Sequence, residues 1–413
     1  MPNSPDLAAR PVFEEDFRQT LLAYRSALIE VFMASGEDLS RPLQAAKRLQ
    51  LKKNLVWRIS NLVQAKDPFS VFPYLPSSKG ILELIARFDE LGVPASKVTR
   101  VRQAMAEFEA MVSYHAGDRP TLELILDSVV SDRSEGQPLM ASRKAAFRGN
   151  CGVWGIHAQA RVLSYFLAPN AERPELGDLV LVTGILGLRR YREGSIWPLA
   201  RLGGRGGNVD DSGRPRELAL DPDYQGEPGL NLLPDFCSSP IPPIRTVKSE
   251  LGFLFELAEG PIGNGGASDI FLGSCLPGLA PLYATPGSEH GAFEVKIDAP
   301  VKTLQSDIVI HRDTKITSGM EWLLAGRLRG ELRLDQDLSA VDLLPLGGTP
   351  QRVGHGLSVV GTSLAPAYTD LCRMVHGRMG WDPEDFFCYR LVEEYPPLTS
   401  SVCFRFALPP AQD

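Results

Sequence analysis

Residues 41–61 read Arg41-Pro42-Leu43-Gln44-Ala45-Ala46-Lys47-Arg48-Leu49-Gln50-Leu51-Lys52-Lys53-Asn54-Leu55-Val56-Trp57-Arg58-Ile59-Ser60-Asn61. Two helices joined by a tight turn need a small residue where they touch and apolar side chains three and five positions later to pack the turn. Two more apolar residues belong on the inner side of the second helix. Ala46, Leu49, Leu51, Val56 and Ile59 stand at that spacing. The pattern predicts helices over 41–50 and 53–64, with Ser40 capping the first, Pro42 in its first turn, and Lys52-Lys53-Asn54 opening the second. From 41 to 66 the chain carries Arg41, Lys47, Arg48, Lys52, Lys53, Arg58 and Lys66 and no acid, although the whole chain is acidic, with 43 basic and 50 acidic residues and a net charge of −7. An ordinary solvated face mixes signs, so this separation points to a local surface for a polyanion.

Outward from that stretch, Phe17, Leu21, Tyr24, Leu28 and Val31 recur at three- and four-residue steps, and Ser35-Gly36 ends the helix they define. Further helices are predicted over 79–91, 95–114 and 121–130, with Pro68, Pro73, Pro76 and Pro94 at the breaks. These make an all-α N-terminal domain over 1–130. Residues 131–140 are polar and read as a linker. Beyond it, over 141–413, Trp154, Ile156, Ala158, Ala160, Val162, Ser164 and Phe166 alternate in strand fashion, and 178–188, 252–257, 293–297, 308–311, 388–393 and 402–407 are short β-type segments. One covering helix is expected over 364–379, and a long irregular excursion over 203–245, where glycine and proline are dense. Strands and helices do not alternate, so the second domain is α+β with a mixed or antiparallel sheet, expected to sense an effector or assemble subunits.

The 413 residues suffice for two domains with cores of their own. The longest apolar stretch, near Leu181 to Leu188, falls short of a bilayer span, and the first residues lack the basic and apolar regions of a secretory signal, so a cytoplasmic location is expected. Cys151, Cys237, Cys275, Cys372, Cys388 and Cys403 are isolated and read as reduced, buried thiols. His115, His157, His290, His311, His355 and His376 show no paired metal spacing, and no metal or cofactor is expected.

At the positions quoted first, the segment resembles the helix-turn-helix of bacterial transcriptional regulators. The resemblance covers about 20 of the 413 residues. One departure matters: Gln50 stands where that family usually has glycine, at a turn position that favours positive φ. The resemblance implies that Lys52, Lys53, Asn54, Trp57, Arg58 and Asn61 face outward on a helix entering the major groove of double-stranded DNA. Arg58 would then read a guanine edge, Asn54 or Asn61 an adenine, and Lys47, Arg48, Lys52 and Lys53 the phosphates. Trp57 reads either as a contact to the sugar-phosphate backbone or as a core residue against the following helix, and its size favours the core. One module reads few base pairs, so a homodimer is expected. Its interface would come from the stripe Val98, Val101, Met105, Phe108 and Val112, or from the C-terminal sheet.

Enzyme signatures are fragmentary. His311-Arg312-Asp313 resembles a kinase catalytic loop without its other parts and reads as a strand-end ion pair, and Gly263-Asn264-Gly265-Gly266 reads as a turn. Gly361-Thr362-Ser363-Leu364-Ala365 approximates a nucleophile elbow without its last glycine, and Asp382, Glu384 and Asp385 suit a helix start. The expected function is sequence-specific DNA binding by a transcriptional regulator with a small-molecule effector. The alternative is an α+β enzyme whose helical N-terminal domain binds a partner.

Overall fold

A computed structural model describes residues 12–131, 137–202, 218–226, 229–249, 252–316, 319–326 and 343–410. The chain forms two compact units, Met1–Leu139 and Met140–Asp413.

The first unit is helical. It contains α1 (Phe13–Ala34), α2 (Pro42–Leu49), α3 (Lys53–Gln64), a 3-10 turn (Pro68–Tyr74), α4 (Ser78–Glu90), α5 (Ala95–His115) and α6 (Arg119–Ser131). The periodic residues of α1 are the reason it folds here: Phe17, Leu21, Tyr24, Leu28 and Val31 are all buried. Tyr24 stacks on Phe108 of α5 with ring centroids 5.5 Å apart. His115 Nε2 lies 2.9 Å from Asp16 Oδ2, tying the end of α5 to the start of α1. Val98, Val101, Phe108 and Val112 are buried and Met105 packs against the same core. The stripe on α5 is therefore spent inside its own unit, which overturns its reading as a dimer surface. Ser40 also differs from expectation. Its hydroxyl goes to Asp38, and Arg41 occupies the cap position of α2 without a side-chain cap. Pro42 at the helix start has no N–H to satisfy, so α2 begins with one fewer orphan donor.

Helix α7 (Gln137–Trp154), most of whose residues belong to the second unit, takes the last residues assigned to the linker, while 132–136 lie outside the described residues. Trp154 closes this helix and does not open a strand, because Gly155 turns the chain at φ +69° with its N–H bonded to Cys151 O at 2.8 Å. A Cβ on Gly155 would fall 2.4 Å from Ser195 Oγ. Among the described residues the strands that follow are β1 (Ile156–Pro169), β2 (Leu176–Arg190), β3 (Trp197–Leu202), β4 (Leu218–Ala219), β5 (Ile244–Ser249), β6 (Gly252–Leu257), β7 (Ser268–Pro281), β8 (His290–Ile297), β9 (Val301–His311), β10 (Glu321–Ala325), β11 (Leu343–Leu344), β12 (Gln351–His355), β13 (Phe386–Glu394) and β14 (Ser400–Ala407). Helix α8 (Tyr368–Met379) precedes β13.

The main sheet runs β12-β13-β9-β1-β2-β7-β4, a second sheet β11-β10-β14-β8, and a third β3-β6-β5. Among the described residues the β1–β9 pair is the one parallel pair of the main sheet, so that sheet is mixed. Alternation assigns the faces. Val162, Phe166 and Val309 pack under Leu371 and Val375 of α8, whereas Leu163, Ile308 and Ile310 pack against Val295, Val402 and Phe404 of the second sheet. Central β9 is covered on both sides and therefore buried at nearly every position. Of the 203–245 excursion, 203–217 and 227–228 lie outside the described residues. Its described part is irregular, but Leu220, Leu230, Leu232 and Leu233 are buried, so that stretch packs as core lining.

Candidate functional site

The segment from α2 through α3 carries the concentrated charge. Ala46, Leu49, Val56 and Ile59 are buried and Leu51 is half-buried against the same core, so all five spaced residues do the packing their positions suggest. Gln50 adopts φ 52°, ψ 36°, the left-handed conformation that its place in the pattern calls for. Leu51 N–H bonds Ala46 O across the turn at 3.0 Å. Two supports come from farther along the chain and have no signal in the local sequence. Arg87 of α4 donates through Nε to Leu49 O at 2.8 Å and through Nη2 to Gln50 Oε1 at 3.1 Å. A cation against the final carbonyls of a helix is favourable on dipole grounds as well as by hydrogen bonding. Ser60 Oγ donates to Leu39 O at 2.7 Å and pins α3 to the loop before α2.

The outer side of the segment holds Lys47, Arg48, Lys52, Lys53 and Asn54 exposed, with Arg58 and Asn61 half-exposed. Trp57 is 46% exposed and meets Tyr74 edge to face with ring centroids 5.9 Å apart, so the core assignment fails. The reason is helical phase: Leu55, Val56, Ile59 and Leu62 take the inner side, and Trp57 falls opposite. Asn61 Nδ2 donates to Trp57 O at 2.8 Å, which commits one amide hydrogen to its own helix. Lys52 Nζ is 3.0 Å from Glu83 of α4, and Arg48 lies 3.8 Å from Glu37. Lys47, Lys53 and Arg58 form no ion pair with a described residue. The surface thus offers free cations, one amide in Asn54, and an exposed indole on one helix.

The second unit holds its polar groups inside. Arg390 grips Asp307 with Nε and Nη2 at 2.8 and 2.7 Å, Tyr368 Oη donates to Asp307 Oδ2 at 2.6 Å, and Ser164 Oγ lies 2.7 Å from that hydroxyl. Gln305 and Thr362 extend the chain of bonds. Ser164, Asp307 and Tyr368 are buried, and burial with the neighbouring Asp307 charge pushes the Tyr368 hydroxyl well above its ordinary pKa, so it keeps its proton and fastens α8 to the sheet. Thr362, from the elbow-like stretch, serves this network six residues before α8 begins at Tyr368.

Five of the six thiols are buried, and burial pushes Cys372 and Cys403 up to about 12 and Cys151 and Cys275 up to about 11, far from a reactive thiolate. Arg312 pairs with Asp385 at 3.1 Å at the end of β9, and Gly263–Gly266 is a 3-10 turn. Asp382 caps the 3-10 turn Pro383–Asp385 by accepting from Glu384 N–H at 3.0 Å. Among the described residues no three His, Cys, Asp or Glu side chains are grouped to hold a metal, and no helix is long and apolar enough to cross a membrane. No protein-family model matches the chain, and no curated protein resembles it in sequence.

Proposed function

We propose that the chain is a sequence-specific DNA-binding protein, a transcriptional regulator, in which α2, the Gln50 turn and α3 form a helix-turn-helix. The observation that carries this reading is the outer side of α3 and the end of α2: five exposed cationic or amide residues, no acid between 41 and 66, and a packed inner side. With α3 in the major groove, Arg58 pairs with a guanine edge and Asn54 with an adenine, while Lys47, Arg48, Lys52 and Lys53 neutralise phosphates. Asn61, having spent one amide hydrogen on Trp57 O, retains its carbonyl and one N–H for contact. Exposed Trp57 lies flat on a sugar or thymine methyl beside the groove. Lys52 exchanges Glu83 for phosphate on docking.

A single such module reads few base pairs, so the reading includes a two-fold dimer. With the α5 stripe spent on its own core, the interface falls to the C-terminal sheet. The second unit is then the effector and assembly unit.

The experiment is selection of bound duplexes from a random pool by the purified chain, followed by titration at several salt concentrations. Arg58→Ala should cost about 1–3 kcal/mol on the selected site and relax its sequence preference, whereas Lys52→Ala should weaken all duplexes alike and reduce the salt slope by about one. Failure to enrich any sequence, or equal sequence-independent losses in both variants, would reject the reading.

A further inference from the structure

A cavity of about 600 Å³ opens beside the edge strand β8 in the second unit. Its apolar wall includes Trp154, Leu163, Leu199 and Leu254. Its charged residues mostly cancel. Arg161 Nη1 lies 3.3 Å from Asp298 Oδ1 and donates to Lys296 O at 2.8 Å, and Glu256 takes Arg245 Nε at 2.8 Å. Two charges remain. With described residues Lys296 forms no ion pair, and Glu294 forms neither an ion pair nor a side-chain hydrogen bond, its Oε1 being closed off from solvent. With Oε1 turned inward, the other oxygen of this half-buried carboxylate is the one a ligand in the cavity meets, and a donor brought there makes a charge-assisted bond that no described residue supplies.

Glu294 and Lys296 are alternate residues of one strand. Their side chains leave on the same side, with backbones roughly 7 Å apart. That gap spans an ammonium and a carboxylate borne on one carbon, with a hydrogen bond at each end. We propose that this cavity binds a free α-amino acid with an apolar or aromatic side chain. Its ammonium goes to Glu294, its carboxylate to Lys296, and its side chain lies against Trp154 and the leucines. An anion alone would leave Glu294 repelled, and a cation alone would leave Lys296 repelled. A zwitterion answers both, and the volume suits a small molecule with room for water.

The inference supplies the chemical class of the effector in the proposed function, and it rests on that reading only for its regulatory meaning. Binding is measured without DNA, so a failure of the DNA reading and a failure of this one appear in separate titrations. The purified full chain is titrated calorimetrically with L-tryptophan, L-leucine, L-phenylalanine and L-valine, then with the N-acetyl and C-amide forms of whichever binds. The expected result is saturable binding of at least one free amino acid, roughly tenfold weakened by either block. Glu294→Gln should weaken the free amino acid about tenfold yet leave the N-acetyl form unchanged, and Lys296→Gln should do the same for the C-amide form. Because each variant retains a ligand it should bind as well as the parent, a misfolded variant is recognised by losing both. Absence of saturable binding tighter than about 1 mM for all four amino acids would overturn the proposal, as would blocked and free forms binding equally.

Discussion

Gln50 is the residue at which the local rules and the fold disagree, and its replacement has a calculable outcome. At φ 52° a side chain with a Cβ costs roughly 1–2 kcal/mol relative to the right-handed region. Gln50→Gly removes that cost, gives back roughly 0.5–1 kcal/mol in backbone entropy, and loses an exposed hydrogen bond from Arg87 worth about 0.5 kcal/mol. The net gain is a few tenths of a kcal/mol. Gln50→Val forfeits the same bond and adds a β-branched side chain where such residues are outliers, so it loses about 1–2 kcal/mol. The two variants should therefore lie about 2 kcal/mol apart on either side of the parent. Trp57 is the sole tryptophan among residues 1–139, which permits a unit-specific assay. In urea, the 5-fluorotryptophan resonance that vanishes in Trp57→Phe follows unfolding of the helical unit by itself. Under the proposed function, Gln50→Gly keeps its DNA affinity and Gln50→Val loses it, because the turn angle aims α3. Equal midpoints for glycine, glutamine and valine at position 50 would refute a left-handed turn.

Three further outcomes follow from buried or paired charges. Burial among Phe166, Phe386 and Trp381 lowers the His376 pKa to about 4 from an ordinary 6.5. The fold therefore favours the neutral ring. This stabilisation is complete above pH 6.5 and is lost as the pH falls toward 4, for a total of about 3 kcal/mol. In His376→Leu, the pH dependence of unfolding read at a Trp381 fluorine label should flatten across that window, and an unchanged slope would disprove the assignment. Arg143 Nη1 meets Glu393 Oε2 at 2.6 Å with both side chains buried, and Gly347 and Gly348 N–H also bind that carboxylate. Arg143→Met should cost about 3–5 kcal/mol by stranding the charge, and Arg143→Met with Glu393→Gln should cost less than the single change, which additive losses in a denaturation cycle would contradict. Glu83→Gln frees Lys52 and should tighten DNA binding by about 0.3–1 kcal/mol at low salt, with the gain vanishing at high salt; a salt-independent gain would show another cause.

Much of the helical unit was legible because its determinants are local. The three- and four-residue spacing in α1 and α5, and the run Ala46, Leu49, Leu51, Val56 and Ile59, specify amphipathic helices and their turn over distances the chain must bring together anyway. The positive φ at Gln50 was foreseeable from its place in that run. The charge of the outer side was equally plain, since it is a matter of composition. Tertiary structure decided the rest. Exposure of Trp57, the Arg87 brace on the turn 38 residues away, and the Glu83 partner of Lys52 depend on how α4 lies against α2 and α3. In the second unit the gap widens: parallel pairing of β1 with β9, the Tyr368–Asp307–Arg390 network, and Arg143 against Glu393, 250 residues apart, have no local signature. A strand's period of two says that one side is buried without saying by which partner. A buried charge acquires its meaning only from the opposite charge that the fold carries to it.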